Sequence, residues 1–342
     1  MSKRILLGVT ALFLLCGCFG AAASAEEKAN AKVLEVEKTL FAQIGDMPKL
    51  HGNEKIGALV ISLTNPYWVG MKAAYEAAAK EYGVAIEVLS APTEGDKQSQ
   101  LEALDAMVVK KYAAIVFSPI EPYNLIPAIV RANEAGIPVI NLGPGVNMDA
   151  LKQAGGRIDG RLTVDFAEQG RMAARDMTAA IGKGKVAIIK GIVGAGQSEG
   201  RTAGATEVFK GTPGVELVSV QPADWDSNKA YGVATDLIQA HPDLRGIFCC
   251  NDVMALAASR ALIDAKVKDK VVLYGVDFIG EARVAIKEGR MDGTIAYPCS
   301  AYGKAAVVMA LKLAQGQKLE KAIYSPLQVV NRKNVDEFEG YR

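Results

Sequence analysis

The sequence predicts an α/β protein of two similar lobes, each a doubly wound parallel sheet with helices on both faces. Three observations carry this reading. Short apolar runs, from Ile56 to Leu63 through to Gly293 to Ala296, alternate with helix-length stretches of helical periodicity. The runs are continuously apolar instead of alternating, which is how parallel strands covered on both faces read. A fresh strand follows a long helix at Gly182 to Lys185, and the pattern then restarts with similar spacing. At 342 residues, half of them apolar, the chain is long enough for two such units, since single cores stop growing at roughly 250 to 300 residues.

In chain order, residues 26–54 read as a helical extension on the first lobe, with helix signals from Val33 to Ile44. Predicted strands follow at Ile56 to Leu63, Ala85 to Leu89, Ala113 to Phe117 and Pro138 to Leu142. The helices between and after them are predicted at Val69 to Tyr82, Asp96 to Lys110, Tyr123 to Ala135 and Phe166 to Ile181. The second half offers strands at Lys185 to Ile189, Glu216 to Val220, Gly246 to Cys250, Val271 to Val276 and Gly293 to Ala296. Strand–helix repetition of this kind builds doubly wound sheets. No Pro- or Ser-rich linker separates the halves, which implies a cleft between closely joined domains.

The first 25 residues have the order of a secretory signal: Lys3 and Arg4, an apolar run from Ile5 to Leu15, then small residues ending Ala23-Ser24-Ala25. Cleavage after Ala25 is the favoured reading. Lipid attachment at Cys18 is the competing one, because Leu15-Cys16-Gly17-Cys18 carries the Leu and Gly of a lipobox. Either way the mature protein is expected outside the cytoplasmic membrane, in the periplasm, with Cys249, Cys250 and Cys299 as its thiols. Buried free thiols are the default, and a Cys250–Cys299 bridge stays open as a minor reading.

Lys and Arg number 39 against 38 Asp and Glu. No net field therefore draws the chain to nucleic acid or an acidic surface. The two histidines, His51 and His241, sit in no cluster with metal-ligand spacing, so neither a metal nor a cofactor is expected. The Gly-rich turn Gly191-Ile192-Val193-Gly194-Ala195-Gly196 lacks the G-x-G-x-x-G spacing of a dinucleotide site. No nucleophile motif stands elsewhere, and catalysis is not expected.

Ligands of open parallel sheets bind beyond the carboxyl ends of the strands. There the first half places Asn65, Tyr67 and Trp68, with Pro66 and Asn65 also suited to start and cap a helix. The second half places Arg201, Trp225, Asn251, Asp277 and Tyr297 at corresponding positions. Asn251 and Asp277 read equally as helix caps, and Trp225 as a lid over core.

The stretches Leu63-Thr64-Asn65-Pro66-Tyr67-Trp68, Ser90 to Asp96, Gln221 to Asp226 and Asn251 to Ala255 resemble the periplasmic sugar-binding proteins of ABC importers, of the ribose and D-allose type. The resemblance runs from about Lys55 onward. It implies the type I periplasmic binding protein fold, with a hinge of three crossovers. Residues 55–164 plus 299–324 would form one lobe and 165–298 plus 325–342 the other. It also implies a monomer that closes around a sugar or polyol and delivers it to a membrane permease, with the residues above as contacts.

The sequence departs from that family where Gly143-Pro144 replaces an Asp and a charged neighbour, and where Val164 and Val276 replace more polar or aromatic residues. Ser118, Glu94, Asn147 or Asp149 would then fill the gap, Ser118 being the residue added to the contact set. An organic cation or less hydroxylated solute, with Asp277 as counter-charge, is the alternative ligand, and a sensor kinase or chemoreceptor the alternative partner. Replacing Trp68 or Asp277 by alanine is expected to abolish the ligand response without unfolding the protein.

Overall fold

The computed structural model describes residues 31–49, 54–319 and 322–341. The signal segment, Cys18 and His51 lie outside the described residues. Two six-stranded sheets form the two lobes. The first contains β1 (Lys55–Ser62), β2 (Ala85–Ala91), β3 (Ala114–Phe117), β4 (Val139–Leu142), β5 (Gly160–Thr163) and β11 (Ile323–Tyr324), in the order β11-β5-β4-β3-β1-β2. The second contains β6 (Gly184–Lys190), β7 (Val215–Pro222), β8 (Leu244–Cys249), β9 (Val272–Val276), β10 (Gly293–Ala296) and β12 (Gln328–Asn331), in the order β12-β10-β9-β8-β6-β7. The two orders are the same, so each sheet has a switch point beside its first strand. Strands pair in parallel except β12, which runs antiparallel to β10.

Continuous apolar runs form these strands because both faces are covered. Along β1 and β3, Ala58, Val60, Ala114 and Val116 belong to one buried cluster, while Leu59, Ile115 and Phe117 belong to another on the opposite face. Helices α2 (Pro66–Tyr82) and α11 (Cys299–Ala314) pack together over the first face, and α3 (Lys97–Val109) and α4 (Ile126–Glu134) over the second.

Asn or Asp starts six of the helices that leave the sheet edges. Asn65 caps α2, Asp96 caps α3, Asn147 caps α5 (Met148–Gln153) and Asp165 caps α6 (Phe166–Ile181). Asp226 caps α8 (Ser227–Ala240) and Asn251 caps α9 (Asp252–Asp264), each accepting from a backbone N–H of the first turn.

The chain passes between the sheets three times, from β5 to α6, from β10 to α11 and from β11 to β12. A helix over residues 31–44, α1, adds a fourth connection. Its buried stripe of Val36, Leu40 and Ile44 faces the first lobe. Lys312 of α11 donates to the carbonyls of Ile44 and Asp46, at 2.8 and 3.0 Å. Gln43 exchanges two hydrogen bonds with the backbone of Tyr324 in the third crossover. At its other end Lys32 pairs with Glu337 at 3.3 Å and lies over the Phe338 ring, in a tail that packs on α10 (Gly280–Lys287) of the second lobe. Cys249 and Cys250 are buried and Cys299 is half-buried, and all three are free thiols. Among the described residues no helix is long and apolar enough to cross a membrane.

Candidate functional site

The carboxyl edges of the two sheets face each other across a cleft of about 430 Å³, its open mouth included. Eight of the nine residues singled out from the sequence line it: Asn65, Tyr67 and Trp68 from the first lobe, Arg201, Trp225, Asn251, Asp277 and Tyr297 from the second. Ser118 does not. It follows β3, fully buried, its carbonyl accepting from Gln100 and its hydroxyl without a partner.

On the first lobe, Asn65 does two jobs: Oδ1 accepts from Tyr67 N–H at 3.0 Å, and Nδ2 donates to Glu94 Oε1 at 3.1 Å. Trp68 also hydrogen-bonds Glu94. Tyr67 and Trp68 are both buried and meet edge to face, their centroids 5.0 Å apart. Tyr67 reaches across the cleft, where its ring lies 5.3 Å from that of Tyr297 and the two hydroxyls hydrogen-bond.

Arg201 organises the second lobe. It rides on α7 (Gly196–Gly211), which touches α6 backbone to backbone: a Cβ on Gly204 would stand 1.9 Å from the Ala167 carbonyl, and one on Gly170 2.0 Å from that of Arg201. This close approach, open only to glycine, brings the guanidinium to Gln169 Oε1 at 2.7 Å and the Cys250 carbonyl at 2.7 Å. Its Nη2 donates to Asp277 Oδ1 at 3.2 Å and to the Tyr297 hydroxyl at 3.4 Å. The Phe166 ring centroid lies 5.7 Å from the guanidinium carbon.

Asp277 sits in a strained turn, with φ of 111° there and 57° at Phe278. Buried Asp252 props that turn, accepting from Ile279 N–H at 3.0 Å and from Thr294 at 2.7 Å. Burial pushes Asp277 up to about 6, against the opposing pull of Arg201. Burial likewise pushes Glu94 up to about 7, with the charge of Asp277 adding to it. Trp225 also stands in a left-handed turn, with φ of 66°, and lies against the backbone of Gly191.

Two polar atoms of the lining are buried without partners, Asn251 Nδ2 and Gln197 Oε1. They form a donor and an acceptor ready for a solute. The Gly143-Pro144 loop offers the solute no side-chain donor, and both carbonyls turn inward, that of Gly143 to Thr163 at 2.9 Å and that of Pro144 to Asn141 at 2.7 Å. Val164 and Phe166 line the cleft beside this loop, and Val276 is buried without lining it. Asn147 is spent on capping α5 and on Tyr123, so it does not fill the gap, and Asp149 does not line the cleft.

Glu94 does line the cleft, as do Gln197 and Phe166, which the sequence reading passed over. Gln197 precedes Arg201 by one helical turn, a spacing that puts both on one face and could have revealed it. Phe166 follows β5, a strand too short and polar to be seen. The two lobes stand close to shut. A Cβ on Gly196 of α7 would lie 4.0 Å from the Gly145 nitrogen of the first lobe.

Two α/β lobes joined by three crossovers, with a polar and aromatic cleft between them, define a two-lobed solute-binding protein. Comparison with known proteins makes the class specific. A family model described as a periplasmic binding protein domain matches residues 56–318, and the chain belongs to that family. It is similar to the D-allose-binding periplasmic protein of Escherichia coli (strain K12), 40% identical over 237 residues that cover 69% of this chain and 76% of that protein. A ribose import binding protein of Bacillus subtilis (strain 168) is 30% identical, covering 84% of this chain and 91% of its own. Among solved structures, an ABC transporter periplasmic solute-binding protein of Actinobacillus succinogenes 130z with bound D-allose superposes with a TM-score of 0.80 at 32% identity, over 82% of this chain and 99% of that one.

Proposed function

We propose that the protein is the periplasmic solute-binding component of an ABC importer, closing its lobes around one small sugar or polyol and passing it unchanged to a membrane permease. The observation that carries this reading is a cleft lined by aromatic rings of both lobes, Tyr67 and Trp68 on one side and Trp225 and Tyr297 on the other. Sugar rings present apolar C–H faces to such rings and hydroxyl edges to groups such as Arg201, Asn251 and Gln197. The relatives named for D-allose and ribose, and the neighbour with D-allose bound, support the same class of solute.

Eight of the sequence-derived residues are the contacts we assign: Asn65, Tyr67, Trp68, Arg201, Trp225, Asn251, Asp277 and Tyr297. Sheet membership supports lobes of residues 55–164 with 299–324, and of 165–298 with 325–342. Contacts offered by both lobes exist together only in the shut form, so solute shifts the population toward it. A solute without hydroxyls has less support, since Asp277, the counter-charge it would need, already pairs with Arg201.

The test is a thermal-shift screen over pentoses, hexoses and cyclitols. A true ligand at a hundred times its dissociation constant adds about 2.7 kcal/mol of stability. A flat response across all three classes would overturn the assignment.

A further inference from the structure

The cleft is unbalanced in charge. Two carboxylates line it, Glu94 from the first lobe and Asp277 from the second, against one cation, Arg201. Arg201 is committed to Asp277 at 3.2 Å. Glu94 accepts from neutral donors alone, Asn65 Nδ2 at 3.1 Å and the Trp68 indole. A carboxylate taken out of water without a cation is costly, and the opposing acid adds to the cost when the lobes shut.

We propose that the solute carries one protonated amino group, seated at Glu94 and facing Asp277, so that the physiological ligand is an amino sugar or an aminocyclitol. This deepens the reading of the site as a sugar or polyol cleft and rests on it. An ammonium group there supplies the missing positive charge and draws together two acids that otherwise repel across the closing gap. Closure thereby becomes selective for the charged solute, because only that solute stabilises the shut form at this end.

The remaining lining fits a ring with unequal edges. Asn251 Nδ2 and Gln197 Oε1 are left for hydroxyls. At the β4–β5 end of the first lobe, Gly143, Pro144, Val164 and Phe166 present no charged side chain, and the Gly143 and Pro144 carbonyls already have donors. The ring edge that meets them therefore needs no charge of its own. Burial pushes Glu94 up to about 7, and an ammonium group beside it would draw it back toward the ordinary carboxylate range.

Calorimetry on matched pairs tests the proposal: D-glucosamine against D-glucose, D-galactosamine against D-galactose, and a monoamino-inositol against myo-inositol. At least one amino compound is expected to bind tenfold or more tightly than its hydroxyl parent. Glu94→Gln should erase that advantage, the ratio of the two affinities within each pair falling to about one whatever the variant does to the parent alone. A second reading uses the unaltered protein. Glu94 faces Asn65 and Trp68 on its own lobe and Asp277 and Arg201 across the cleft, and the amino advantage should shrink as pH falls below about 7 and Glu94 takes up its proton. Parents that bind as well as their amino partners, or an advantage that survives Glu94→Gln, overturn this inference and leave the sugar cleft standing. Failure of every pair overturns both.

Discussion

The indole of Trp225 lies on the bare backbone of Gly191, so close that a Cβ added at Gly191 would meet the ring at 2.1 Å. Gly191 directly follows β6, and Trp225 comes from the loop after β7. Their contact fixes the height of one wall of the cleft. A methyl group at position 191 therefore cannot coexist with the ring where it stands. Gly191→Ala is expected to push Trp225 toward the solute space and weaken binding at least tenfold, while circular dichroism shows both lobes still folded. Unchanged affinity, measured by calorimetry, would show that Trp225 is not a wall.

Arg201 and Asp277 form an ion pair with side-chain exposures of 4% and 6%. Removing one partner leaves the other charge buried, a loss of about 3 to 5 kcal/mol. The sequence-based expectation that Asp277→Ala spares the fold therefore changes: this variant should melt well below wild type as well as fail to bind. Arg201→Met with Asp277→Asn should recover part of the loss, because no orphaned charge remains. A double-mutant cycle on melting curves checks the coupling.

Glu94 makes stability depend on pH in a stated direction. Its folded value, about 7, lies above the ordinary 4.5, so the folded protein holds this proton longer than the unfolded chain does. Its contribution is fully present below about pH 4 and is lost as pH rises through about 7. Asp277, pushed up to about 6, acts in the same sense, which is why a comparison of variants isolates Glu94. Glu94→Gln should become more stable than wild type as pH rises from about 5 to 8, by on the order of 2 kcal/mol once screening at this half-buried side chain is allowed for. A difference that stays flat with pH sinks the assignment.

Both tryptophans of the chain, Trp68 and Trp225, line the cleft. Intrinsic fluorescence is thus a direct report on the site. Saturating solute should change the emission of wild type, Trp68→Phe and Trp225→Phe differently, the two single variants splitting the wild-type response. Emission blind to a ligand that calorimetry detects places that ligand elsewhere.

Helix α1 holds the buried amine of Lys312 with two carbonyls. A chain beginning at residue 50 loses those acceptors and the apolar contacts of Val36, Leu40 and Ile44, each worth roughly 1.5 to 3 kcal/mol when fully buried. The truncated protein should fold with a clearly lower melting temperature, and Lys312→Met should restore part of it. Equal melting of full-length and truncated chains would show that α1 is merely attached.

Much of this architecture is legible in the residues. Runs such as Ile56 to Leu63 and Val271 to Val276 are apolar throughout because helices cover both faces of the sheet, and this alone separates them from half-exposed strands. Three strands escape the same logic. In β5, Gly160-Arg161-Leu162-Thr163 carries a guanidinium that bonds Asn141 and the Gly143 carbonyl. Meanwhile β11 spans two residues, and β12 is an edge strand ending in Asn331. With β5 unseen, Phe166 reads only as the first residue of a helix, although Val164 two residues before it already stands out as a site position.

The site residues were legible because cleft-facing groups follow strands, where Asn65 and Asn251 also serve as helix caps. Ser118 follows a strand too, yet its side chain is buried beneath the edge. The left-handed turns at Trp225 and Asp277 leave no mark in composition, since neither position is a glycine. They depend on tertiary props such as Gly191 and Asp252.

The near contact of Gly145 with Gly196, together with the hydroxyl link from Tyr67 to Tyr297, has a kinetic consequence. Both hold the lobes together, so a monosaccharide is expected to enter when they part, and each capture then waits for a spontaneous gape. Stopped-flow traces should accordingly level off at high solute concentration instead of climbing without limit. The plateau measures how often the jaws part unaided, and escape of a captured solute is bounded by the same clock.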